Sequence, residues 1–220
     1  MKFTCLATGS KGNCYLLESN GRILVLDAGI KYDDVIRGAG YSPRKIDGVV
    51  VTHSHKDHSL SSNDFFLRGF TVWKPYMEDV MLRTKRIKNW HVSSFDVEHD
   101  GVPCAGFVIK AEGRIILYAT DFEVIRYDFS RLGITDMIIE ANYTDEMLEA
   151  DEYKYSHVLM GHACLTTTKA FIEKNGSDSL QNVILVHASA GLDRVRAIEE
   201  VKSVTKAKVF EATKGLEIKL

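Results

Sequence analysis

Gly48-Val49-Val50-Val51-Thr52-His53-Ser54-His55-Lys56-Asp57-His58 is the stretch on which the reading of this chain turns. Four small or β-branched apolar residues make a strand buried on both faces, and the strand ends in three histidines and an aspartate within six positions. Imidazole and carboxylate are the donors that zinc and its neighbours take. In an extended loop, residues two apart point the same way, so His53 and His55 can clasp one ion. Asp57 and His58 fall beyond the turn and can hold a second. Two ions a few ångströms apart form a clamp for in-line displacement.

One such motif supplies at most four ligands, and the rest of the chain offers more at the ends of other apolar runs. Asp27 follows Leu24-Val25-Leu26, His99 follows Phe95-Asp96-Val97-Glu98, Asp121 follows Ile116-Leu117-Tyr118-Ala119-Thr120, and His187 follows Ile184-Leu185-Val186. Taken singly, a strand-terminal aspartate or histidine says little. Four of them in a chain that already carries the first motif point to one composite metal centre.

The chain has 220 residues, 45% hydrophobic and 26% charged, and a net charge of −2. That composition excludes disorder, collagen and coiled coil as descriptions of the whole, and it fits one αβ domain over residues 1–220. No global basic field advertises a polyanion partner, so a nucleic-acid role requires a local patch. The four cysteines form no CxxC pair and are expected as free thiols of a reducing compartment. No leader and no apolar run of about 18 residues is present, so a cytoplasmic protein with no membrane partner is expected.

The pattern predicts strands over 2–8, 14–18, 22–26 and 48–51. It predicts helices over 31–38, 60–68 and 78–88, with a short strand at 71–73 between the last two. In the second half, strands are expected at 106–111, 114–119, 137–140, 183–186, 208–212 and 216–219, and helices at 166–174 and 193–204. This order, β-rich with helices between and repeated twice, suggests two sheets face to face with helices outside.

These residues resemble the metallo-β-lactamase superfamily from Asp27 to His187. The resemblance implies an α/β fold, the αββα sandwich of two mixed β-sheets flanked by helices. It assigns His53, His55 and His99 to a first metal, and Asp57, His58 and His187 to a second. Asp121 would bridge the two, and Asp27 would stand one layer behind, steadying the ligand loop. Two divalent ions are implied, zinc by the histidine count or manganese on the same ligands.

Three segments narrow the resemblance to the small YycJ/WalJ-like members: Gly9-Ser10-Lys11-Gly12-Asn13-Cys14-Tyr15, Glu140-Ala141-Asn142-Tyr143 with Met147-Leu148, and Gly161-His162-Ala163-Cys164 before a helix. Ribonuclease Z has a segment related to the last, in which the histidine protonates the leaving oxygen. Its acidic residue just before the bridging aspartate is replaced here by Tyr118-Ala119-Thr120, and its tRNA-gripping arm has no counterpart.

The resemblance implies a metal-dependent hydrolase of phosphodiesters in nucleic acid, single-stranded DNA or RNA. Asp57 would act as general base and His162 as general acid. A cyclic nucleotide is the alternative substrate. Thioester or lactone hydrolysis and a non-catalytic binding role are the alternatives of other classes. Arg83, Lys85, Arg86 and Lys88 followed by Trp90 form a basic stretch beside an aromatic, suited to phosphates and an unpaired base, or a solvated helix face with Trp90 inward. Asp145, Glu146, Glu149, Asp151 and Glu152 form an acidic counterpart that a nucleic acid would avoid. Ser189 is two residues from His187 and could meet a phosphate, while His91 and His157 match no motif position. Superfamily relatives are often homodimers, but the sequence localises no interface.

Overall fold

The computed structural model describes residues 1–150 and 161–220; Asp151, Glu152 and His157, singled out above, lie outside the described residues. The first half forms β1 (Lys2–Ala7), β2 (Cys14–Ser19), β3 (Arg22–Leu26), α1 (Tyr32–Gly38), β4 (Ile46–Val50), α2 (Lys56–Ser59), α3 (Ser62–Leu67), β5 (Thr71–Trp73), β6 (Thr84–Ile87) and β7 (Trp90–Val97). The second half forms β8 (Cys104–Ala111), β9 (Arg114–Ala119), β10 (Asp136–Glu140), α4 (Asp145–Ala150), α5 (Leu165–Asn175), β11 (Asn182–Val186), α6 (Arg194–Lys202), β12 (Lys208–Glu211) and β13 (Glu217–Lys219).

Two mixed sheets result, with strand orders β13-β1-β2-β3-β4-β5 and β12-β11-β10-β9-β8-β7-β6. Alternation along the strands sends one set of side chains between the sheets. Phe3, Tyr15, Leu24, Trp73, Phe107, Tyr118 and Ile184 belong to that central layer. The opposite face of the first sheet packs Val25, Val49 and Val51 against Val35 of α1 and Phe65 of α3. The opposite face of the second packs Leu117, Met137 and Leu185 against Phe171 of α5 and Ala197 of α6. The αββα layering expected from the sequence is the one observed.

Strand direction places the site. β3 and β4 run parallel, as do β9, β10 and β11. β7 is antiparallel to β8, which is antiparallel to β9, so β7 also points the same way as β9. The carboxyl ends of these strands therefore deliver Asp27, His53, His99, Asp121, Glu140 and His187 to one edge of the sandwich, the edge where open αβ sheets place ligands. The sheets are pinned together there, since Ala105 N donates to Thr52 O at 2.9 Å and Tyr118 Oη donates to Asp27 Oδ2 at 2.5 Å.

One sequence expectation fails. Residues 78–88 are not a helix: β6 pairs antiparallel with β7 at the edge of the second sheet. Lys and Arg favour helix when nothing else decides, but here the partner strand decides.

Candidate metal centre

Asp27, Asp121 and His187 each terminate a strand with positive φ, +57°, +52° and +54°. Left-handed backbone at a residue with a side chain costs of order 1–3 kcal/mol and persists where the surroundings impose it. Here it turns the chain sharply at three strand ends and leaves all three side chains buried at the same edge.

Asp27 organises the first motif. Its Oδ1 accepts from Thr52 N at 2.8 Å, and its Oδ2 accepts from His58 Nδ1 at 2.7 Å. The Thr52 hydroxyl donates to Asp27 at 3.1 Å and lies 3.0 Å from His53 Nδ1, so it accepts the proton on that nitrogen. His99 Nδ1 donates to Gly161 O at 2.6 Å. In each imidazole Nδ1 is thereby engaged by a neighbour and Nε2 is left for the site; burial would lower the His58 pKa, but Asp121 and Asp27 raise it well above its usual value, so without a metal His58 carries the positive charge.

His53 tests whether these donors suit a cation. Its ring is fully buried, and burial, with His58 beside it, pushes its pKa down to about 2, so it is neutral. Its Nε2 is buried without a hydrogen-bond partner among the described residues. An unsatisfied buried acceptor costs about 1–3 kcal/mol, and a divalent ion supplies what this one lacks.

One ligand atom from each of His53, His55 and His99 can be chosen so that all three lie within 4.8 Å of one another; the same holds for Asp57, His58, Asp121 and His187. Asp121 stands between the groups, its Oδ2 3.4 Å from His58 Nε2, 3.7 Å from His53 Nε2 and 3.9 Å from His99 Nε2, while its Oδ1 bonds His187 Nδ1. Burial would raise the Asp121 pKa, but His187 and His58 outweigh it and hold the carboxyl well below its usual range. All seven residues singled out as ligands in the sequence thus converge, with Asp27 behind them. The donor set, five imidazoles and two carboxylates, suits a divalent metal.

His162 lies at the rim, its ring 5.1 Å from that of His187 and 5.7 Å from that of His99. Its Nδ1 donates to Glu140 Oε1 at 2.7 Å. Burial would lower its pKa, but the Glu140 carboxylate overrides this and raises it to about 9. The sequence motif that contains Glu140 does not reveal this role. A signal of position is present, since Glu140 ends Met137-Ile138-Ile139 as the ligands end their own apolar runs. Its other oxygen accepts from Phe122 N at 3.2 Å and Ala163 N at 3.4 Å.

Asn13 was also without a role. Its Nδ2 lies 2.8 Å from His58 Nε2 and 3.5 Å from Asp57 Oδ2, and its Oδ1 accepts from Gly9 N at 2.8 Å. Gly29 allows this contact, because a Cβ there would lie 1.6 Å from Asp57 O. Ser189 Oγ is buried without a partner among the described residues.

The basic stretch does not border the donor clusters. Trp90 is 1% exposed and its indole donates to Asp47 Oδ2 at 3.1 Å, so it cannot stack on a base. Arg83 and Lys85 pair with Glu78. Arg83 O accepts from Ser94 N, so along β7 the stretch begins about 16 Å from His99, and at Trp90 it is about 30 Å away. Of the two readings of Arg83, Lys85, Arg86, Lys88 and Trp90, the one with Trp90 inward is observed, and the helix is corrected to the strand Thr84–Ile87. All four cysteines are free and buried. No helix among the described residues is long and apolar enough to cross a membrane.

Residues 7–112 match the sequence profile of the metallo-beta-lactamase superfamily. The chain is 25% identical over 183 residues to the exodeoxyribonuclease WalJ of Streptococcus pneumoniae, covering 70% of this chain and 67% of that one. It is 22% identical over an alignment of 248 positions to the exodeoxyribonuclease YycJ of Bacillus anthracis, covering 99% and 94%. Among solved structures, the metallo-beta-lactamase fold protein YhfI from Bacillus subtilis superposes with a TM-score of 0.76 at 16% identity, covering 99% of both chains. The sequence resemblance is therefore borne out over residues 7–112, and the whole chain has the metallo-β-lactamase fold.

Proposed function

We propose that this protein is a phosphodiesterase working with two divalent metal ions, zinc in preference to manganese, and that its substrate is nucleic acid, single-stranded DNA foremost. The observation that carries the proposal is the pair of donor clusters joined at Asp121, with the His162–Glu140 pair at their rim. The exodeoxyribonuclease names of the relatives support the choice of substrate.

His53, His55 and His99 would hold one ion and Asp57, His58 and His187 the other, with Asp121 shared. Bound there, divalent ions supply an activated water at neutral pH and neutralise charge on the phosphate. Burial would raise the Asp57 pKa, but His58 beside it lowers it, so the carboxylate stays ionised. It orients the attacking water and accepts its proton. His162, kept protonated by Glu140, donates to the departing oxygen, so the leaving group departs as an alcohol. Asn13 ties Asp57 and His58 to the loop that begins at Gly9.

The test is cleavage of end-labelled single-stranded DNA by the metal-loaded protein, beside a 3′,5′-cyclic nucleotide, with Asp57→Ala as the blank. Labelled products that vanish in the variant are the expected result. Turnover of the cyclic nucleotide alone would replace the nuclease reading with nucleotide degradation.

A further inference from the structure

A groove of about 390 Å³ opens beside the metal centre, between residues 122–127 and α5. Glu140, buried and not itself in the lining, ties the start of the groove to His162. One oxygen of that carboxylate holds His162, and the other accepts the backbone N–H of Phe122 and of Ala163, the starts of the two walls. From there the groove follows Thr166, Ala170 and Lys174, one stripe of α5 at a spacing of four residues, for about 12 Å. The opposite wall is apolar and aromatic, with Val124 exposed and Tyr127 partly so. Ala170, small and exposed, leaves the middle open.

We infer that this groove receives the base of the nucleoside attached to the leaving oxygen. The inference rests on the phosphodiesterase reading above and adds a subsite to it. The lining begins at Phe122 and Thr166, and Phe122 N shares the Glu140 carboxylate with the histidine that would protonate that oxygen, so a sugar seated near His162 would direct its base along α5. The volume suits a small organic ligand, and Tyr127, the partly exposed aromatic of the lining, offers any base a stacking partner whatever its sequence. A base lying there has left any duplex stack, which favours an unpaired strand as substrate.

The experiment is titration of the ¹⁵N-labelled, metal-loaded protein with thymidine 5′-monophosphate or with base-free 2-deoxyribose 5-phosphate, reading the amides of Val124, Thr167 and Ala170. The nucleotide is expected to shift these amides and to bind about tenfold more tightly than the sugar phosphate. Ala170→Trp, which fills the groove, is expected to remove that difference, and Ala170→Ser to keep it. Equal affinities for the two probes, or a preference that survives Ala170→Trp, would overturn the inference. Hydrolysis of bis(p-nitrophenyl) phosphate reports the metal centre separately. Its absence in the wild type would overturn the phosphodiesterase reading.

Discussion

Glu140→Gln removes the charge that holds the proton on His162 and leaves a side chain of the same shape. His162 sits at about 9, against an ordinary 6.5, because Glu140 outweighs the burial that would lower it. Without the charge, its pKa is expected to fall to 6.5 or below. At pH 8 the acid form then drops from about 90% to about 3% or less, a loss of at least about 30-fold in kcat, and the loss shrinks as pH falls towards 6. The assay is kcat for one oligonucleotide substrate between pH 6 and pH 9, wild type against variant. A defect that comes only from lost backbone anchoring at Phe122 and Ala163 would be independent of pH. A wild-type to variant ratio that stays flat across the range would therefore refute the assignment of His162 as the acid held by Glu140.

The same pair makes a stability prediction for the metal-free protein. A raised histidine pKa stabilises the fold fully below pH 6.5, and this contribution is lost as pH rises through 9; the 2.5-unit difference corresponds to about 3 kcal/mol at most. Chemical denaturation should show the wild type losing stability over that window and Glu140→Gln losing much less; parallel curves would contradict it. Gly29→Ala puts a Cβ 1.6 Å from the Asp57 carbonyl oxygen, where about 3.0 Å is the closest tolerated approach, so the motif loop must move by at least 1.4 Å. Bound metal measured after dialysis should fall, and full retention would show that the loop yields. Trp90→Phe deletes one bond to buried Asp47 and should cost about 1–3 kcal/mol in a urea titration, with no change in DNA affinity. Weaker DNA binding at unchanged stability would restore the basic hairpin as a substrate surface.

The residues that converge at this edge were legible because each announces itself locally. Three histidines and an aspartate crowd one loop, and His99, Asp121 and His187 each close an apolar run. Which end of which strand faces the others is a property of topology, but parallel connections bring carboxyl ends together, so the composite site followed. What escaped depends on contacts distant in sequence. Asp47 takes the Trp90 indole from 43 positions away, and nothing near Trp90 reveals this. Asn13 reaches His58 across 45 positions, and Gly29 matters because Asp57 O lies over it. The strand Trp90–Val97 could have been read, since Trp90, Val92 and Ser94 are buried and His91 is not. The short basic edge strand beside it could not, since all but its last residue are exposed and only its partner makes it a strand.

The most direct measurement is the metal content of the purified chain after zinc loading and dialysis, by elemental analysis, for the wild type, His55→Ala and His187→Ala. Two ions per wild-type chain and about one in each variant are expected, because each substitution removes a donor from a different cluster. A wild-type chain that retains one ion or none would contradict the dinuclear centre on which the proposed chemistry depends.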